Sequence, residues 1–215
     1  VLEERVSKPK KILIVRPDAI GDVVLMIPML NSIKTAYPES QLYTLQQSYT
    51  KPLLDNHPDV TEVLIDWKKS GRCRSMSDFF DYVRYIRTFK FDVVIFSYLD
   101  PFYAWLAYFA GIKHRIGDAN KFPVRFLLNT PIPQPFRQLL RHEVEQNMRL
   151  LKGLGISESK TGNMSLYLRD SSIQKAREVL VDAGWKNDIL IGIHPNTGGG
   201  NRAWLPKHYA ALVDL

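Results

Sequence analysis

The sequence predicts an α/β protein in which a parallel sheet is covered by helices on both faces, with one complete domain followed by the opening of a second. Three observations carry this. Short apolar runs alternate with longer amphipathic stretches, the order a repeated strand and helix requires. The strongest runs, KILIVR at Lys11 to Arg16 and VVIF ending before Ser97, are apolar at consecutive positions, as in strands buried on both faces. A second strand–loop–helix opening appears near the end of the chain, at Ile189 to His194 and the glycine-rich stretch after it.

Element by element, the first strand is followed by a helix from about Asp22 to Tyr37. Its first turn, Val23 to Ile27, is apolar all round, so the helix is expected to be mostly buried. Pro28 is expected to bend it in its second turn, and Pro38 stops it. Strands are then predicted at Gln41 to Leu45, Glu62 to Ile65 and Asp92 to Phe96, with helices near Lys51 to Asn56 and over Ser77 to Phe89. An aromatic-rich helix spans Pro101 to Ala110, where Gly111 can cap it. Its Phe102, Tyr103, Trp105 and Tyr108 belong by default to the core, with stacking on a sugar as the alternative.

The prolines at 123, 131, 133 and 135 predict an irregular loop from Arg115 to Phe136, with one short helix at Val124 to Leu128. A loop of that length is usually functional. Helical spacing returns over His142 to Leu154 and ends at Gly155. A capping-box pattern, Ser171-x-x-Gln174, opens a helix to about Ala183 that Gly184 closes, and a last helix begins near Pro206. The domain expectation is residues 1–155, a linker and crossover helix over 156–187, and the first strand and helix of a second domain over 188–215.

Composition narrows the function. A chain of 215 residues with 45% hydrophobic and 24% charged residues is globular rather than disordered. One cysteine, Cys73, allows no internal disulfide, which fits a reducing cytoplasm. Its neighbours Arg72 and Arg74 could lower its pKa, but no partner base is nearby, and a surface thiol is the default reading. The charged stretch VLEERVSKPKK has no apolar core of signal-peptide length, and no apolar run approaches the ~20 residues of a membrane span. Contact with a membrane is therefore expected to be peripheral.

The formal net charge of +7 admits nucleic acid, an anionic membrane or a phosphorylated substrate. The basic residues form no single tract. They cluster at Lys68, Lys69, Arg72 and Arg74, at Lys113, His114 and Arg115, and at Arg137, Arg141 and His142. Together they favour an acidic small molecule or lipid headgroup over nucleic acid.

In an open parallel sheet, ligands sit beyond the carboxyl ends of the strands. The loop after the first strand, Arg16-Pro17-Asp18-Ala19-Ile20-Gly21-Asp22, has one glycine where a dinucleotide fingerprint needs three, which disfavours a nicotinamide or flavin cofactor. Gly21 permits a close or left-handed path. Read alone, Asp22 is an N-cap and Asp18 a turn residue. The later loop, His194 to Trp204, offers Gly198, Gly199 and Gly200 for amide approach, the Thr197 hydroxyl and the forked donors of Arg202, a combination that suits a diphosphate.

Three stretches resemble the bacterial heptosyltransferases of the lipopolysaccharide inner core, glycosyltransferase family 9. They are KILIVRPDAIGDVVLMIP, RHEVEQNMRLLKGLG and IGIHPNTGGGNRAWLPKHYAALVDL. The resemblance implies a two-domain GT-B architecture of Rossmann-like domains, acceptor in the first, ADP-heptose in the second, reaction in the cleft between them. It makes Asp22 the general base, a role requiring a carboxylate unpaired and reachable at the cleft. It places Asn196, Thr197, Gly198, Gly199 and Arg202 at the donor phosphates, and Arg16, Asp18, Gly21, Arg115 and Arg125 on the cleft or acceptor side.

An inverting transfer needs a base on one face of the sugar and charge stabilisation of the leaving group on the other. Cationic side chains and loop amides can supply the latter, so no metal and no other cofactor is expected. Because the family's second domain extends well past this chain, a fragment or truncated product with weak donor binding and little activity alone is expected. The competing reading is a non-catalytic module that binds an acidic glycan or lipid through Arg115, Arg125 and Arg141. A nucleotide-dependent oxidoreductase is a third, weakened by the missing glycine fingerprint.

Overall fold

The structure is a computed structural model and describes residues 8–134, 142–157, 164–195 and 204–214. The chain divides into two compact units, residues 1–169 and 170–215.

The first unit is built on six parallel strands: β1 (Lys11–Val15), β2 (Gln41–Gln46), β3 (Glu62–Ile65), β4 (Val93–Phe96), β5 (His114–Asp118) and β6 (Thr130–Ile132), in the spatial order β3-β2-β1-β4-β5-β6. The helices are α1 (Ile20–Val24), α2 (Ile27–Ala36), α3 (Met76–Thr88), α4 (Pro101–Phe109) and α5 (Glu143–Leu150), with short 3₁₀ turns at Ser48–Leu53, Val124–Leu127 and Leu151–Leu154.

β1 shows why the sheet is two-sided. Ile12 and Ile14 join a core with Met26, Leu30 and Ile33 from the α1–α2 side and Met148 of α5. Leu13 and Val15 point the other way, into a core with Phe79, Tyr82 and Ile86 of α3 and Tyr103 and Leu106 of α4. Both sets are needed because consecutive residues of a strand face opposite sides. At the far side of the sheet Asp66, fully buried, accepts hydrogen bonds from Tyr82 Oη, Tyr103 Oη and the backbone N–H groups of Lys68 and Lys69.

Four local expectations are corrected. The helix expected over Asp22 to Tyr37 is two helices, and Pro28 lies in the first turn of α2, where its missing N–H would be unpaired anyway. The N-cap of α1 is Ala19, not Asp22, which occupies the first turn. The loop expected from Arg115 contains β5 and β6; β6 carries Pro131 and sits at the sheet edge, where a strand tolerates a missing donor. Cys73 is partly buried, and burial, with Asp78 and Asp66 nearby, pushes its thiol up rather than down.

In the aromatic helix α4, Tyr103 is buried, but Trp105 and Tyr108 are nearly half exposed, so the core expectation holds for only part of it.

The second unit contains α6 (Asp170–Asp182) and α7 (Pro206–Val213). α6 starts one residue before Ser171, and Gln174 donates forward to Glu178 at 3.0 Å instead of closing a capping box. Gly184, at φ +92°, takes the left-handed turn after the helix. The strand expected at Ile189 to His194 does not form: residues 189–195 carry no strand, and Ile189 and Ile191 are 92% and 83% exposed. A strand is stabilised by a partner's ladder, and no paired strand occurs among the described residues of this unit. No described helix is long and apolar enough to cross a membrane.

Candidate functional site

The strand order reverses between β1 and β4, which pair with Val15 opposite Phe96. The loops leaving these two strands diverge there and leave a crevice. The residue after β1 is Arg16 and the residue after β4 is Ser97. Arg16 is one of the few buried charges among the described residues, its side chain 4% exposed.

Its guanidinium is held from three directions. Nη1 donates to the Ser97 carbonyl at 2.5 Å and to Ser97 Oγ at 3.2 Å. Nη2 donates to Asp22 Oδ1 at 3.0 Å and to Glu143 Oε1 at 2.8 Å. Nε lies 3.3 Å from Asp18 Oδ2 without the alignment of a hydrogen bond, so that contact is coulombic. One cation thus serves three carboxylates and occupies the centre around which they converge.

Each carboxylate is positioned by a different device. Asp18 is fixed by its loop, since Gln47 Nε2 donates to the carbonyls of Pro17 and Asp18 at 2.9 and 3.3 Å. Asp22 and Glu143 sit in the first turns of α1 and α5, where a negative charge meets the positive helix end. Asn147, one turn after Glu143, is buried. It accepts from Ser97 Oγ at 2.6 Å and donates to the Leu25 carbonyl at 3.2 Å, tying α5 to the loop after β4 and to the end of α1.

The carboxylates differ in reach. Asp22 is the most open, with 39% of its side chain exposed against 16% for Asp18. Asp18 is pushed up to about 6, chiefly by burial; Arg16 opposes the shift, and Asp22 and, more weakly, Glu143 add to it. Beside the cluster lies a cavity of about 300 Å³ lined by Arg16, Asp18, Ser97, Glu143 and Asn147, and also by Asp118, Lys121, Gln134 and Gln146. Gln134 is 7% exposed, and its Oε1 has no hydrogen-bond partner among the described residues.

The sequence-predicted residues fare unequally. Arg16, Asp18 and Asp22 lie together, and Asp22 is reachable but paired, not unpaired, because the buried guanidinium needs carboxylate neighbours. Gly21 lies inside α1 and not in a left-handed turn, and a Cβ there would meet open space. Of the predicted residues, Arg16 and Asp18 line the cavity, whereas Asp22, Gly21, Arg115 and Arg125 do not. Arg115 donates to the Leu127 and Ile112 carbonyls and lies over the Tyr108 ring, while Arg125 is exposed over Phe126. Asn196, Thr197, Gly198, Gly199 and Arg202, with Arg141, lie outside the described residues. Ser97, Glu143, Asn147 and Gln134 were not singled out from sequence.

Comparison with known proteins gives one direction. No family model matches the chain. It is 32% identical over 212 residues to a putative glycosyltransferase of Haemophilus influenzae, covering 95% of this chain and 59% of that protein. It is 28% identical over 195 residues to lipopolysaccharide heptosyltransferase 3 of Escherichia coli, covering 90% and 57%. The chain thus spans somewhat over half the length of these relatives. Among solved structures, the family 9 glycosyl transferase of Veillonella parvula superposes with a TM-score of 0.79 at 17% identity, covering 95% of this chain and 58% of that one. An E. coli heptosyltransferase with ADP superposes with a TM-score of 0.69 at 19% identity, covering 95% and 62%. The chain's fold is that of the GT-B heptosyltransferases.

Proposed function

We propose, from this chain's relation to the heptosyltransferases of glycosyltransferase family 9, that it supplies the acceptor side of an inverting glycosyltransferase. The domain at residues 1–155 holds an acidic lipopolysaccharide inner-core acceptor, and the segment from 188 opens the domain that holds ADP-heptose or a related nucleotide sugar. The solved neighbour with ADP supports a nucleotide-sugar partner. The +7 charge suits the acidic acceptor. The setting is the cytoplasm, with peripheral contact at the inner membrane.

The observation that carries the reading is the Asp22 carboxylate, 39% exposed at the carboxyl end of the central strand and oriented by Arg16 at 3.0 Å. In this reading Asp22 removes the proton of the acceptor hydroxyl as that oxygen attacks the anomeric carbon and the nucleoside diphosphate departs from the opposite face. Arg16 and Glu143 are positioning residues. Arg16 keeps the carboxylate in one orientation, and Glu143 draws on the same guanidinium, so Asp22 is not neutralised outright. The leaving diphosphate falls to the loop with Asn196, Thr197, Gly198, Gly199 and Arg202, with no metal needed for charge balance. On this reading residues 1–215 alone turn over little.

The test is Asp22→Asn in a form extended to the length of its relatives, with ADP-heptose consumption followed by mass spectrometry. A fall in kcat of at least about 100-fold is expected. Near-normal turnover overturns the assignment and passes the base role to Asp18. The alternative, a non-catalytic module that binds an acidic glycan or lipid through Arg115, Arg125 and Arg141, predicts acceptor binding that ignores Asp22 and no sugar transfer in the extended form.

A further inference from the structure

The outer face of α3 and α4 carries an apolar surface for which the sheet has no use. Met76 and Phe80 are one turn apart on α3; with Trp105, Tyr108 and Phe109 of α4 they are 40% to 68% exposed. The rings touch one another: Phe80 and Phe109 at 6.0 Å between centroids, Trp105 and Phe109 stacked at 5.5 Å, Trp105 and Tyr108 at 5.8 Å. Between the helices opens a groove of about 570 Å³ whose inner end is formed by Phe79 and Phe102. Single exposed rings are ordinary, but five large apolar side chains gathered on one face mark an interaction surface.

The rim of this face is cationic. Arg74 lines the groove, Arg84 follows Phe80 by one turn, and Arg87 donates from Nη2 to the Phe109 carbonyl at 2.5 Å. Arg115 lies 5.4 Å from the Tyr108 ring centre, and Lys68 Nζ lies 4.9 Å from that of Phe102. Three carboxylates oppose these five cations. Asp81 pairs with Arg84 and Asp100 with Lys68. Asp78 accepts the N–H groups of Arg74 and Ser75 at the start of α3. Arg87 and Arg115 bond backbone carbonyls and pair with none of these three carboxylates, while Arg74 bonds the Gly71 carbonyl and shares its charge with Asp78.

We propose that this face seats the protein on an anionic bilayer. Trp105, Tyr108 and Phe109, with Met76 and Phe80, enter the headgroup boundary, and the arginines meet lipid phosphates. Aromatic rings with a polar edge and arginines with long apolar stems suit that boundary. A second copy of the chain is a poorer occupant, because like faces would bring two positive rims together. The placement also serves the cavity: Leu99 lines it and Phe102, three residues on, lines the groove, so a glycolipid acceptor would be met near its own membrane. The inference rests on the proposed peripheral contact but not on the transfer reaction.

The experiment is sedimentation of the 215-residue chain with vesicles of phosphatidylglycerol and phosphatidylcholine, against phosphatidylcholine alone. Binding to the anionic vesicles only, weakened severalfold by raising salt from about 0.05 to about 0.5 M, is expected. Trp105→Ser with Phe109→Ser should lower the partition coefficient at least about tenfold, and Arg74→Glu with Arg87→Glu should do likewise. Should the serine variant lose its circular-dichroism signature, Trp105→Phe gives a second reading: binding retained, with part of the quenching by brominated lipid lost. Equal binding to both vesicle types, unchanged binding of the charge-reversed variant, quenching that ignores Trp105, or a dimer that these substitutions dissolve would each overturn the proposal. Transferase activity of an extended form without vesicle binding would sink this inference and leave the functional reading standing.

Discussion

Asp66 and the Arg16 cluster are two ways of placing carboxylates at the carboxyl ends of strands, one after β3 and one after β1. Each oxygen of Asp66 accepts two hydrogen bonds, Oδ1 from Tyr82 at 3.2 Å and Lys68 N at 3.1 Å, Oδ2 from Tyr103 at 2.7 Å and Lys69 N at 3.0 Å. No capacity remains. Around Arg16 three carboxylates share one guanidinium, so each keeps unspent lone pairs, and all three are partly exposed. A saturated carboxylate holds a fold together, whereas an unsaturated one beside a cavity has something left to offer a substrate.

The largest test of that contrast is Asp66→Ala. It strands two tyrosine hydroxyls and two backbone N–H groups in a buried site, and both tyrosines already have their ionisation pushed up by burial and by Asp66. A loss of about 4 kcal/mol in unfolding free energy is expected by urea titration. A loss under about 1 kcal/mol would mean that water replaces the carboxylate freely and that the region is no structural centre.

Arg16→Ala should cost less, about 3 kcal/mol, because its partners reach solvent and can be hydrated once the cation is gone. Lowering the pH should return part of the loss, since protonating Asp18, whose ionisation burial already opposes, removes its repulsion with its neighbours. A variant as stable as the parent at neutral pH would show that the guanidinium compensates nothing, and the Asp22 orientation derived from it would fall with it.

The same contrast explains what could be read from the sequence. β1 and β4 were legible because burial on both faces forces unbroken apolar runs, and α3 because Phe79, Val83 and Ile86 recur at helical spacing. β5, HRIGD, and β6, TPI, were hidden because they lie toward an edge where partial exposure permits polar residues and a proline. Ile189 to His194 reads as a strand by the same apolar criterion, yet a pattern records a preference for burial and not the presence of a partner. Arg16, Asp18 and Asp22 could be found together because one loop carries them. Ser97 and Glu143 meet Arg16 across 81 and 127 residues of chain, and no local spacing announces that contact.

The smallest expected effect is the most specific. Asp18→Asn keeps the shape of a protonated aspartate and removes its charge. Burial lifts Asp18 from an ordinary 3.8 to about 6, so between those values the folded chain binds the proton more tightly than the unfolded chain does. The stability this proton confers is complete below about pH 4 and is lost as pH rises through about 6. Above that range the parent carries a poorly solvated anion that the variant lacks. Allowing for solvent screening and for the lost attraction to Arg16, the variant should be the more stable by about 1 kcal/mol at pH 7.5. The two should converge below about pH 3, where Asp18 is protonated in both states. Urea midpoints taken across this range check it. A variant less stable than the parent at pH 7.5 would mean that Arg16 outweighs burial at this carboxylate, and would make Asp18 a saturated structural group like Asp66.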